Sequence, residues 1–188
     1  MLRRIEAAAM SGGVRVWDPV VRVFHWGLVL AIATAWLSAG EWQAVHEVAG
    51  YTAAALIAIR LVWGVIGPRE ARFSAFVRRP AVVIGYLKDI AAGRERRFLG
   101  HNPAGGAMIV ALILAIIAQA SMGYLLTTDA FFGVDWLAQL HEALAYGILG
   151  LIGLHLAGVL LASIRHRENL PLAMVTGRKR PLLADEAH

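Results

Sequence analysis

The stretch WLAQLHEALAYGILGLIGLHLAGVLL, residues 136–161, holds one acid and two histidines, His141 and His155, in a run that is otherwise largely apolar. A helix needs about 20 mostly apolar residues to cross the hydrocarbon core of a bilayer, and this run is long enough. Three more windows of the same kind precede it. Together they place membrane spans at 20–39, 44–66, 104–127 and 137–164. No window alternates apolar and polar residues with period two, which argues against a β-barrel. The reading is an all-α integral membrane protein, a four-transmembrane-helix bundle forming one domain over residues 1–188.

Composition agrees. Of 188 residues, 59% are hydrophobic and 16% charged, where a soluble domain carries about a quarter charged residues. Mean hydropathy is +0.61. The first window reads as a retained helix rather than a cleaved signal, since it holds Arg22 and His25. There is no cysteine. That excludes disulfides, thiolate metal sites, iron–sulfur clusters and covalently attached c-type haem. Any redox centre must be held by histidine or methionine.

The 18 lysines and arginines set the topology. Arg3, Arg4, Arg15 and Arg22 precede or begin the first span; Arg69, Arg72, Arg78, Arg79, Lys88, Arg94, Arg96 and Arg97 lie between the second and third. Arg165, Arg167, Arg178, Lys179 and Arg180 follow the fourth, and Arg60 sits late in the second. The two connections on the other side, near Glu41 and Asp129–Asp135, carry none. The positive-inside rule therefore puts both termini and the long connection in the cytoplasm. Within that connection, residues 80–92 space Val82, Val83, Tyr86, Leu87 and Ile90 as a helix that lies on the membrane surface against anionic lipid. The tail, 166–188, reads as cytoplasmic and unstructured. The +5 formal charge belongs to topology and lipid contact, not to nucleic acid.

His141 and His155 stand 14 residues apart, about 21 Å of rise and about 40° short of four full turns. They share one face at two depths. His46 opens the second span on the outer side and His25 opens the first on the inner side, which yields two pairs: His46 with His141, and His25 with His155. Two imidazoles on facing helices at matched depth form a cradle for a b-type haem. Histidines within spans are functional by default; hydrogen-bonded packing is the plainer account, and four in two tiers tell against it. A zinc or copper site needs ligands within a few ångströms, which His141 and His155 are too distant to provide. Gly50, one turn after His46, leaves room for a flat macrocycle. Arg60 shares the face of His46 near the inner level, where it either meets a haem propionate or snorkels to the interface. Two haems stacked across a bilayer offer electrons a route through it, and no open iron position remains for oxygen chemistry.

Several motifs carry a family resemblance: VWDPVVRVFHW (16–26), HEVAGY (46–51), IRLVWG (59–64), GHNPAGG (100–106) and the two histidines of the fourth span, separated by thirteen residues. In these the chain resembles the four-helix bacterial cytochrome b561 group, related to the b-type cytochrome subunits of nickel–iron hydrogenases and respiratory formate dehydrogenases. The resemblance implies two haem b groups ligated from the first, second and fourth helices, which matches His25, His46, His141 and His155. It also implies a quinone site at the inner haem, with Asn102 and His155 at the matching positions and ubiquinone or menaquinone as substrate. Asn102 before Pro103 equally makes a helix cap. His101 either supplies protons to that pocket or is an interfacial histidine.

The function expected is electron transfer across the bacterial cytoplasmic (inner) membrane, as part of a respiratory chain, between a periplasmic partner and the quinone pool. Glu41, Glu47, Asp129, Asp135 and Glu142 make the outer face acidic. This favours a basic protein such as a c-type cytochrome over the superoxide anion, although a superoxide:ubiquinone oxidoreductase and a haem-bearing anchor subunit of a larger complex stay open. Membrane lipid is a further partner, and a homodimer is left open.

Overall fold

The computed structural model describes residues 13–182. Arg3 and Arg4, counted above toward the inner charge, and residues 183–188 of the tail lie outside the described residues.

The order is strand β1 (Val14–Arg15), helix α1 (Pro19–Ser38), α2 (Gln43–Ile66), a 3-10 turn (Arg69–Ala71), α3 (Phe73–Phe76), α4 (Pro80–Ala91), α5 (Pro103–Leu126), α6 (Asp135–Arg165), α7 (Leu170–Thr176) and strand β2 (Arg178–Lys179). Four of them, α1, α2, α5 and α6, are long and apolar enough to cross a membrane. Their outward faces are apolar: Leu30, Leu37, Val65, Leu154, Leu160 and Ile164 are all exposed. Apolar surface on that scale needs lipid around it. At 31 residues, α6 is about 46 Å long and projects beyond a core of about 30 Å.

Local sequence explains where the helices start. The Asp18 carboxylate accepts from the Val20 and Val21 amides at 2.9 and 3.2 Å, with Pro19 in the first turn of α1. The same carboxylate accepts from the Trp63 indole at 3.2 Å, tying the start of α1 to the end of α2. Asn102 caps α5 by accepting from the Gly105 amide at 2.7 Å. Asn169 caps α7, and Gly177 ends it in the left-handed region at φ +78.

The long helices are joined in sequence: α1 packs on α2, α2 on α5, and α5 on α6. The close backbone neighbour of α6 among them is thus α5, while its reach to α1 is an edge contact of Trp36 with Tyr146 at 5.3 Å. The apolar core lies at mid-height. Ile57 of α2, Ile113 and Ile116 of α5 and Ile148 of α6 are buried there, flanked by Phe24, Leu28 and Ile32 of α1.

At one end, hereafter the strand end, β1 pairs antiparallel with β2, Val14 opposite Lys179 and Arg15 opposite Arg178. The described part of the tail is thus folded, which corrects the expectation of an unstructured segment and adds one short strand pair to an otherwise helical chain. Glu168 accounts for it. Its carboxylate takes an Arg97 hydrogen bond at 2.8 Å and lies 3.5 Å from the Lys179 ammonium, with all three side chains nearly inaccessible. Arg97 also donates to the Arg180 carbonyl at 2.8 Å. Burial works against the charged forms, yet the Arg97 hydrogen bond and the Lys179 and Arg97 charges hold Glu168 below the usual carboxylate range. Helix α4 also forms at the strand end, with Tyr86 buried against Phe98 at 5.7 Å and Val82, Ile84 and Leu87 exposed.

Candidate functional site

Two levels of the bundle bring the singled-out residues together. Toward the loop end, His46 and His141 face each other with ring centroids 6.1 Å apart and planes at 73°. His46 Nδ1 lies 2.7 Å from the Ala35 carbonyl oxygen. A carbonyl only accepts, so that nitrogen carries the proton and Nε2 keeps its lone pair. His141 is held differently. Its Nε2 accepts from the Gln119 side-chain amide at 3.1 Å, and its Nδ1 is buried with no partner. First-row metals bind imidazole nitrogen at about 2 Å, and a ring centre lies about 1 Å beyond, so an iron between two imidazoles would set their centres about 6 Å apart. The observed spacing is of that size, with His141 Nε2 turned to Gln119.

Toward the strand end, His25 on α1 and His155 on α6 are electrostatic neighbours. Arg60 lies buried between elements, at 3% exposure. Its guanidinium lies 4.8 Å from the Phe73 ring centre and 5.8 Å from that of Phe76. Phe73 enters because α2 has Gly64 opposite it: a Cβ there would stand 2.1 Å from the Phe73 ring.

His101 is clamped between the rings of Trp17, at 4.5 Å, and Phe76, at 4.7 Å. Burial first, then the charges of Arg60, Lys179 and His155, push its imidazole down to about 3, so it stands neutral rather than as a cationic acid. Asn102 spends its oxygen on the cap, and the Tyr86 hydroxyl is its hydrogen-bond neighbour. Burial, followed by the Glu95 charge, raises that phenol to about 12. One turn beyond Asn102, at Gly106, begins an apolar groove of about 420 Å³ between α4 and α5, lined by Val83, Ile84, Val110 and Leu114.

Six buried side-chain atoms among the described residues lack a hydrogen-bond partner: Arg22 Nε, His25 Nδ1, Arg60 Nη1 and His101 Nδ1 toward the strand end, and Gln119 Oε1 and His141 Nδ1 toward the loop end. Buried polar atoms are rarely left so, and each instance calls for a cause. Two of the six, His25 Nδ1 and His141 Nδ1, belong to the paired histidines themselves, and none belongs to the isoleucine layer. A Cβ at Gly50 would meet open space, as would one at Gly147, Gly150 or Gly153 of α6. Room, orphaned polar atoms and paired imidazoles at one level are what a planar, propionate-bearing macrocycle requires.

The family model for prokaryotic cytochrome b561 matches residues 16–177. The chain belongs to the prokaryotic cytochrome b561 family. No curated protein and no solved structure matches it. Membership implies b-type haem and membrane electron transfer, and the donors present suit haem: neutral imidazoles, with no thiolate in the chain.

The b561 motifs now have physical roles in the structure. Asp18 and Pro19 start α1, Trp63 pins that start to α2, Gly64 admits Phe73, and Asn102 with Pro103 starts α5. Sequence reasoning missed Gln119 and Gly123. Gln119 is the single amide in the 24-residue α5, and a polar side chain in so apolar a span was the available signal. Gly123, one turn on, sits where a Cβ would come within 3.1 Å of His141 Cε1.

Proposed function

We propose that this cytochrome b561 carries two b haems and conducts electrons through the cytoplasmic membrane between a periplasmic redox protein and the quinone pool. The observation that supports the reading is the presence of unpartnered buried atoms toward both ends of the bundle, His25 Nδ1 and Arg60 Nη1 at one and Gln119 Oε1 and His141 Nδ1 at the other. His46 and His141 hold the outer haem, at the loop end. His25 and His155 hold the inner one, with Arg60 Nη1 offered to a propionate, while Gly50, one turn from His46, leaves space beside the outer one.

When bound, two such haems supply one-electron exchange at both depths of the bilayer. The protein's part is to orient, insulate and select. The Ala35 carbonyl fixes the His46 tautomer, and the isoleucine layer keeps water from the space between the tiers. The quinone site is assigned to the strand end, to His101, Asn102 and His155. There the apolar groove beside Gly106 suits an isoprenoid tail. His101, neutral and with an unpartnered Nδ1, serves the pocket as a hydrogen-bonding or proton-relaying imidazole.

The strand end is cytoplasmic by the positive-inside rule, and α4 lies in the interface with Val82, Ile84 and Leu87 toward lipid. At the periplasmic end Glu41, Asp129, Asp135 and Glu142 are exposed, with no lysine or arginine in either loop. That sign attracts a basic partner such as a c-type cytochrome and repels superoxide.

Single-histidine variants test the assignment. His141→Ala should remove one spectral component and His155→Ala the other. Loss of the same component from both would sink the pairing.

A further inference from the structure

Gln119 and His141 present complementary unmet needs. An amide nitrogen only donates, so the 3.1 Å contact of Gln119 Nε2 with His141 Nε2 makes that ring nitrogen the acceptor. The proton of the neutral imidazole then sits on Nδ1. Nδ1 is a buried donor with no acceptor, and Gln119 Oε1 is a buried acceptor with no donor. Both belong to one contact between α5 and α6, and both are buried. His46 shows the satisfied version, its Nδ1 donating to a carbonyl oxygen at 2.7 Å.

We propose that Gln119 is a positioning residue for the outer haem: its amide nitrogen stands 3.1 Å from His141 Nε2, and its Oε1 would accept the His141 Nδ1 hydrogen when Nε2 is committed to iron. The exchange needs only rotation about side-chain torsions of the two residues, beside a face that Gly123 keeps bare. An acceptor on Nδ1–H fixes the ring orientation and makes the imidazole more basic, which favours ferric iron. The two outer ligands would then be matched, one by a backbone carbonyl and one by a side-chain carbonyl. This inference rests on the assignment of His46 and His141 as the outer haem pair.

The test is a redox titration of the full chain, purified with its haem, as wild type, Gln119→Met and Gln119→Glu. Methionine keeps the volume without a strong acceptor; glutamate keeps an acceptor oxygen whether charged or protonated. In Gln119→Met the outer haem should shift toward the ferrous form about tenfold, which is 59 mV upward for one electron. Gln119→Glu should stay at or below the wild-type potential, and the inner haem should not move. Loss of the outer haem from Gln119→Met with retention in Gln119→Glu would support the same role, in line with the 10–100-fold affinity losses typical of removing such partners. Three results would overturn it: unchanged potentials in both variants, shifts of one sign in both, or loss of the outer haem from both. A wild-type haem signal untouched by His141→Ala would instead overturn the pairing itself, and the Gln119 role with it.

Discussion

At the scale of single residues, burial has set His101 apart from an ordinary surface histidine. Its imidazole falls from the usual 6.5 to about 3 in the folded chain. Between those values an unfolded chain binds a proton that the native chain refuses, so native stability falls as pH drops below about 6.5. The melting temperature should fall across that window, and His101→Gln should flatten the fall; an unchanged slope would show that other groups control it. Gly64 answers to packing instead. Its missing side chain is the space that the Phe73 ring fills, and Phe73 in turn lies over Arg60. Gly64→Ala should destabilise by about 1–3 kcal/mol, the usual cost of overpacking, and should disturb the inner haem spectrum while sparing the outer one.

At the scale of elements, the four long helices and their histidines were legible because hydropathy and helical spacing are local properties. The capping pair Asn102–Pro103 was legible for the same reason. The tail was not. Residues 166–182 read as part of an unstructured cytoplasmic tail because the groups that fold them are remote: Glu168 meets Arg97, 71 positions away, and the Lys179 ammonium donates to the Phe98 carbonyl, 81 away. No local pattern encodes such pairings. Gln119 was hidden differently, in a helix whose uniform apolarity marks no inward face. The clasp has a testable cost. Arg97→Met leaves the Glu168 carboxylate nearly inaccessible and without its main partner, and losing one member of a buried ion pair typically costs 3–5 kcal/mol. Limited proteolysis should then open residues 166–182, whereas adding Glu168→Leu should recover much of the loss. Equal protease resistance in Arg97→Met and wild type would show that the clasp is held elsewhere.

At the scale of the whole molecule, membrane crossing, the stand-off of α6 from α1 and α2, and the orphaned atoms toward both ends of the bundle belong to one design. Helix α6 packs closely on α5, yet carries His141 and His155 at two depths toward partners on other helices. With the acidic loop end facing the periplasm as proposed, reduction by a basic c-type cytochrome should slow as ionic strength rises, since screening removes the steering field. A rate that does not change with salt would argue against complementary charge as the basis of docking. The most direct test of the central claim is haem per polypeptide in the purified protein, by pyridine haemochrome with a reduced-minus-oxidised spectrum. Two b haems per chain, one lost with His141→Ala and the other with His155→Ala, is the expected result. One haem per chain would break the path through the membrane, and no haem in a folded sample supplied with it would return the histidines to packing alone.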